Sequence, residues 1–417
     1  MSSAGRVGPF VEARPTFDVP VAGPDGVAGP DGGPELSVVI PCLNEAKTLA
    51  SCVDGCLAVV AREGIAGEVI VADNGSSDES VEIAERHGAR VVHVAERGYG
   101  ATVRGAVAEA RGRYVVCLDA DGQHDAADVP RVLAELRAGY DLVVGNRFSG
   151  PIQPGAMPWS HRYIGNPILS GLTRLLFHRS VRDAQCGLRG FDRAAFEEMD
   201  LRTTGFEFCP EMVVKASRRH MRITEVPVSV RPAERGRPPH LRTLPDGFRH
   251  LTFVLMCAPT WLFIVPGTIL FAVGVAAVSW LFTGSQHIGH VVLDTRAELF
   301  GVLLMSLGVD IASIGFFARV FSYRHRGGED GPWLERRLNR LRLEEGLALG
   351  AAFILAGLAG AGVEVGRWAA GGFRIFHDDR AVIFWSMWFV LGVQICFASF
   401  FLSMIGISRG TWIGDRS

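Results

Sequence analysis

The chain has 417 residues, 48% of them hydrophobic, and 42 basic against 44 acidic residues leave a formal net charge of −2. That balance gives no electrostatic footprint for nucleic acid, so none is expected as a partner. The eight cysteines are scattered, and the Cys52/Cys56 spacing fits neither a disulfide framework nor a zinc signature.

Residues 1–34 are rich in Gly and Pro (VAGPDGVAGPDGGP), lack an apolar core and read as a disordered tail. They contain no apolar h-region of a signal peptide. From Leu36 the chain alternates short β-branched runs with helical patterns. The expected strands are 36–41, 68–73, 89–94, 113–121 and 140–146, and the expected helices lie near 45–62, 78–87, 99–111 and 127–138. This alternation predicts an α/β fold over residues 35–240, a doubly wound, mostly parallel sheet with helices on both faces. Such sheets bind ligands at the carboxyl ends of their strands. Four polar clusters fall at those ends: Asn44-Glu45, Asp73-Asn74, Asp119 to Asp121, and Asn146-Arg147.

Residues 241–257 (LRTLPDGFRHLTFVLMC) mix apolar side chains with Arg242, Arg249 and His250. They fit an interfacial helix or the polar flank of a first span. Residues 258–417 then read as an α-helical membrane domain. Its four apolar runs, 258–282, 297–321, 347–366 and 381–407, are each long enough for a hydrocarbon layer of roughly 30 Å. The link after the second run (SYRHRGGEDGPWLERRLNRLRLEEG) is dense in Arg. The positive-inside rule therefore predicts a multi-pass protein of the cell (inner) membrane with its large N-terminal domain in the cytoplasm. Asp310 falls within the second run, as a functional group or an interhelical contact.

Asn44 and Asp73-Asn74 sit at strand-to-helix turns, where each could cap a helix or face a ligand. The stretch CLDADGQHD is more specific. On extended backbone Asp119 and Asp121 share a face, and two such carboxylates need a cation or strong donors. Gln123 adds a third oxygen, a donor set suited to a hard divalent ion rather than zinc; a purely structural cluster is the alternative. Asp125 reads as the cap of the next helix.

PCLNE, ADNGSSD, RGYGATVRG, DADGQHD, GNRF and DAQCGLRGF together resemble the family 2 glycosyltransferases of GT-A fold. Within that family they are most similar to polyprenyl-phosphate glycosyltransferases of the dolichol-phosphate-mannose-synthase type. The resemblance implies inverting, metal-dependent transfer of a sugar from a nucleotide-sugar to polyprenyl phosphate at the cytoplasmic membrane face. UDP-glucose is the favoured donor; GDP-mannose and UDP-N-acetylglucosamine are the alternatives. Pro41, Asn44, Glu45, Asp73, Asn74 and Asp119 would bind the nucleotide-sugar. Asp121 and Gln123 would hold Mg²⁺ or Mn²⁺. Arg147, Arg162 and Arg235 would grip the acceptor phosphate, which makes Asp121 and Arg147 the central pair for catalysis. A homo-oligomer is compatible with this class.

Some positions depart from the family pattern. Many members have a second Asp where this chain has Asn74, and a Gly-x-Ser-Lys element where it has AERGRPPHLRT, with Arg237 or His240 in place of the Lys. Glu207 and Glu211 of GFEFCPEM could contact the sugar or favour a helix N-terminus. Processive synthases of the same superfamily carry Gln-x-x-Arg-Trp, and EVGRW (364–368) lacks the Gln. A non-catalytic sugar-nucleotide-binding membrane protein is the alternative from another class.

Overall fold

The computed structural model describes residues 33–177, 181–234, 243–326, 343–373 and 379–407. Most of the expected tail, Arg235, Arg237, His240 and most of the Arg-rich link lie outside the described residues. The chain divides into two compact units. One comprises Met1–Trp159, Cys186–Gly205 and Arg222–Pro239; the other comprises Ser160–Gln185, Phe206–Met221 and His240–Ser417.

The first unit is built on a seven-stranded sheet of order β3-β2-β1-β4-β6-β5-β7. Its strands are β1 (Leu36–Cys42), β2 (Gly67–Asp73), β3 (Arg90–His93), β4 (Tyr114–Cys117), β5 (Leu142–Asn146), β6 (Arg189–Asp192) and β7 (Ile223–Pro227). All neighbours pair in parallel except β6, which runs antiparallel between β4 and β5. The central strands are buried on both faces, which is why they read as unbroken apolar runs rather than alternating ones. Helix α1 (Leu49–Arg62) covers one face through Leu49, Cys52, Val53, Cys56, Val59 and Val60, the stripe of a 3.6-residue period. Helices α2 (Ser80–Arg86), α3 (Tyr99–Glu109), α4 (Val129–Arg137) and α6 (Arg193–Met199) complete this unit.

The strand expected over 113–121 is only four residues long, ending at Cys117. The Leu118 amide still donates to the Val39 carbonyl of β1 at 3.0 Å, and past it the backbone leaves the sheet. The Thr48 hydroxyl donates to the Ala120 carbonyl at 2.7 Å, and Gly122 adopts φ 73°, a left-handed turn that glycine takes without strain. Asp119 and Asp121 therefore stand on a loop, and strand alternation does not set their directions.

In the second unit, α5 (Asn166–Phe177) and α7 (Phe208–Arg218) pack with α8 (Thr243–Met256). Four helices follow: α9 (Val265–Leu281), α10 (Thr295–Arg326), α11 (Leu343–Ala370) and α12 (Asp379–Ile407). The apolar segments Thr260–Leu281, Thr295–Ser322, Leu343–Ala370 and Asp379–Ile405 are long and apolar enough to cross a membrane, as the sequence led us to expect. A two-stranded hairpin, β8 (Gln286–Ile288) with β9 (Val291–Leu293), joins the first two. Asp310 makes an interhelical contact: Gln394 Nε2 donates to its carboxylate at 2.9 Å and to the Ser306 hydroxyl at 2.9 Å.

Candidate active site

The carboxyl ends of β1, β2, β4 and β5 share one edge because those strands run in the same direction. The reversed strand β6 begins at that edge, with Arg189 opposite Cys117. The polar clusters singled out within the first unit therefore converge.

At the end of β1, Asn44 takes φ 57°, a conformation that Asn tolerates better than most residues. Its Oδ1 accepts the Ser77 amide at 2.7 Å, and its own amide donates to the Ser76 hydroxyl at 2.9 Å. The Glu45 amide donates to the Ser80 hydroxyl at 2.9 Å, and Pro41 is half-buried within β1. At the end of β2, the buried Asp73 carboxylate accepts the Gly75 amide at 3.0 Å and the Ser76 amide at 2.9 Å. Burial pushes its pKa up, but the Ser76 hydroxyl and the two amides outweigh burial and hold it below the ordinary carboxylate value. Asn74 faces the other way. Its Nδ2 donates to the carbonyls of Val94 (3.0 Å) and Glu96 (2.7 Å), and its Oδ1 accepts the Gly98 amide at 2.9 Å.

In the loop after β4, Asp121 is buried and its Oδ1 accepts the Gln123 amide at 3.0 Å. Gln123 Nε2 donates to the Ala156 carbonyl at 3.0 Å, which assigns the nitrogen of this amide and turns Oε1 the other way. Asp119 is held from three elements. Tyr99 donates to its Oδ1 at 3.4 Å, His124 Nε2 lies 3.9 Å from its Oδ2, and a Cβ on Gly187 would come within 2.0 Å of that oxygen. Asp125 accepts the Ala127 amide at 3.0 Å, as a cap does, and pairs with Arg231. At the end of β5, the Asn146 side chain donates to Glu225 at 2.9 Å and accepts the amides of Phe148 and Ser149 at 3.0 and 3.1 Å. This turn sets the backbone from which the half-buried Arg147 projects.

Asp119, Asp121 and Gln123 all offer oxygen donors, which suit Mg²⁺ or Mn²⁺ and not a soft metal. Among the described residues no group of three or more His, Cys, Asp and Glu is close enough to hold a metal alone. An ion here would complete its shell from a bound substrate. Burial pushes the thiols of Cys42 and Cys52, which flank the site, to about 11 and about 12, so neither supplies a thiolate nucleophile.

Arg162 belongs to the second unit, exposed on the wide turn that leads into α5, and Arg235 lies outside the described residues. Glu211 of GFEFCPEM is buried on α7 and pairs with Lys215 at 2.9 Å. The sequence reading had not singled out Tyr99, Gly187 or Ser76. The Gly residues of RGYG and CGLRG were the available signal, since a glycine at a strand edge often marks close backbone approach.

Residues 37–200 match the glycosyl transferase family 2 domain, and residues 316–406 match the glycosyltransferase family 2 C-terminal transmembrane region. The low-salt glycan biosynthesis hexosyltransferase Agl6 of Haloferax volcanii is 36% identical over 380 residues, which is 91% of each chain. A dolichyl-phosphate hexose transferase of the same organism is 30% identical over 197 residues, covering 47% of this chain and 83% of that one. Among solved structures, glucosyl-3-phosphoglycerate synthase from Mycobacterium tuberculosis, held with Mn²⁺, uridine diphosphate and phosphoglyceric acid, is 25% identical. It covers 54% of this chain and 78% of that one at a TM-score of 0.43, a likeness too loose to carry an argument. Sheet, strand-edge motifs, membrane helices and a relative matched over nearly its whole length agree: the chain is a multi-pass membrane protein that belongs to glycosyltransferase family 2.

Proposed function

We propose that this protein transfers a hexose from a nucleotide-sugar to the phosphate of a polyprenyl phosphate, with inversion, on the cytoplasmic face of the cell membrane. The observation that carries this reading is the placement of Asp119, Asp121 and Gln123 on the loop past the carboxyl end of β4, in a chain with four helices long and apolar enough to cross a membrane. The name of the dolichyl-phosphate hexose transferase relative supports the acceptor class.

In this reading Asn44, Glu45, Asp73 and Asp119 line the nucleotide, with Pro41 and Asn74 shaping the strand ends beside it. Asp121 and Gln123 would hold Mg²⁺ or Mn²⁺, which would supply positive charge beside the leaving diphosphate. Arg147, with Arg162 and Arg235, grips the attacking lipid phosphate by charge-assisted hydrogen bonds. A phosphate oxygen is already anionic near neutral pH. It attacks the anomeric carbon as the bond to the nucleoside diphosphate breaks, and no side chain has to remove a proton. UDP-glucose is the donor we put first, with GDP-mannose and UDP-N-acetylglucosamine next. The Arg-rich link between the second and third spans supports the cytoplasmic orientation.

The test is release of nucleoside diphosphate by the purified protein in lipid, with each donor, with and without polyprenyl phosphate and divalent metal. Release that needs both is expected. Asp121→Ala should lower it by at least about a hundredfold. No release with any of these donors would overturn the reading.

A further inference from the structure

Residues 97–101, which open α3, join two strand ends of the first unit. On the β2 side, the Arg97 guanidinium donates to the Asn74 carbonyl and, at 3.4 Å, to the Gly75 carbonyl. The Gly98 amide donates to Asn74 Oδ1 at 2.9 Å. Gly98 takes φ 118°, and a Cβ there would lie 2.3 Å from the Thr204 carbonyl oxygen, so only glycine fits. That same oxygen accepts the Gly100 and Ala101 amides at 2.8 and 3.3 Å. Beyond them Thr102, Val103 and Ala106 are buried, and the helix is fixed against β1 and β2.

One side chain reaches from this segment to the loop after β4. The half-buried Tyr99 donates its hydroxyl to Asp119 Oδ1 at 3.4 Å. The other carboxylate oxygen, Oδ2, backs onto Gly187, where a Cβ would come within 2.0 Å of it. One oxygen is therefore placed by shape and the other by a donor. Phenylalanine would fill the same space, but only the tyrosine hydroxyl donates to an ionised carboxylate. Strands β2 and β4 flank β1, so their ends stand about 10 Å apart. A nucleoside diphosphate is long enough to span that distance. Tyr99 thus ties the loop that carries Asp119 to the turn that carries Asp73 and Asn74.

We propose that Tyr99 is a positioning residue for the nucleotide: its hydroxyl sets the orientation of Asp119 relative to the Asp73–Asn74 turn. Tyr99 acts through Asp119 and does not itself touch the nucleotide. This role rests on the nucleotide-binding reading of Asp73 and Asp119, and it does not depend on which sugar or lipid is used.

The test uses the full chain in nanodiscs and reads binding of uridine diphosphate and guanosine diphosphate, each with Mg²⁺, by calorimetry. Tyr99→Phe should weaken the tighter of the two by about three- to tenfold, the loss of one long hydrogen bond to a charged group. Thermal unfolding of the unliganded protein should not change, because the ring stays in place. Asp119→Ala removes the group through which Tyr99 acts. In that background Tyr99→Phe should add less than about twofold. Unchanged affinity in Tyr99→Phe would overturn the proposal and leave the nucleotide-sugar reading standing. An equal weakening in both backgrounds would overturn it too, since Tyr99 would then act without Asp119. If neither diphosphate binds the unsubstituted chain, the nucleotide-sugar reading falls, and the role of Tyr99 falls with it.

Discussion

Asn74 and Arg147 both follow a strand end, yet their surroundings give them different work. The Asn74 amide is committed to Val94, Glu96 and Gly98, so it braces the turn that starts α3. Asn74→Asp, which restores the residue many family members carry, should be destabilising here, since a carboxylate cannot donate to the Val94 and Glu96 carbonyls. A loss of about 1–3 kcal/mol is expected in thermal or denaturant unfolding. Unchanged stability would show that the turn does not need these bonds. Arg147, by contrast, projects from a turn organised by Asn146. Arg147→Ala should raise the KM for polyprenyl phosphate about tenfold or more, while the KM for the donor changes much less. Equal effects on both would argue against an acceptor role. The chemistry of DADGQHD was legible from residue type alone. Its shape was not, because the Asp119–Gly187 approach joins positions 68 apart in the chain, and no local pattern encodes it.

At the scale of elements, legibility followed burial. Strands β1, β2 and β5 stand out as β-branched runs because they are buried on both faces of the sheet. Strands β6 (RGFD) and β7 (ITEVP) carry charge, and only pairing with β4 and β5 makes them strands. The membrane helices were legible as apolar runs, but their contacts depend on single glycines seven residues apart. Gly267 and Gly274 on α9 face Gly301 and Gly308 on α10. A Cβ on Gly308 would lie 2.5 Å from the Phe271 amide nitrogen, and one on Gly274 would lie 2.6 Å from the Gly301 carbonyl. Gly350 and Gly392 bring α11 and α12 equally close. Helices pack this tightly in lipid because small residues let backbones touch, with no hydrophobic drive between them. Gly308→Leu should cost at least about 1–3 kcal/mol of stability in detergent. Gly362→Ala, with no atom within 4 Å of the added carbon, should be neutral. If both behave alike, the seam does not hold the pair.

Within the second unit, the helix ends that meet are those an up-and-down arrangement of four spans brings together. Phe282, just past α9, meets Phe384 near the start of α12 with ring centroids 5.0 Å apart, and Arg380 donates to the Ser285 hydroxyl at 2.7 Å. Towards the other end, Phe317 of α10 meets Phe401 of α12 at 4.7 Å. The division into two units has a consequence for how the protein is made. The chain passes from one unit to the other five times, at 159/160, 185/186, 205/206, 221/222 and 239/240. Residues 160–185 and 206–221 leave the ribosome before any of the spans with which they cluster, so they wait for their partners through the rest of synthesis. No single cut yields a whole catalytic fragment and a whole membrane fragment. A chain stopped at residue 239 should therefore aggregate or melt well below the full protein, whereas the two halves co-expressed should recover a nucleotide-binding species. A stable, monomeric, nucleotide-binding product of the shortened gene on its own would show that the interleaved segments fold without the membrane helices.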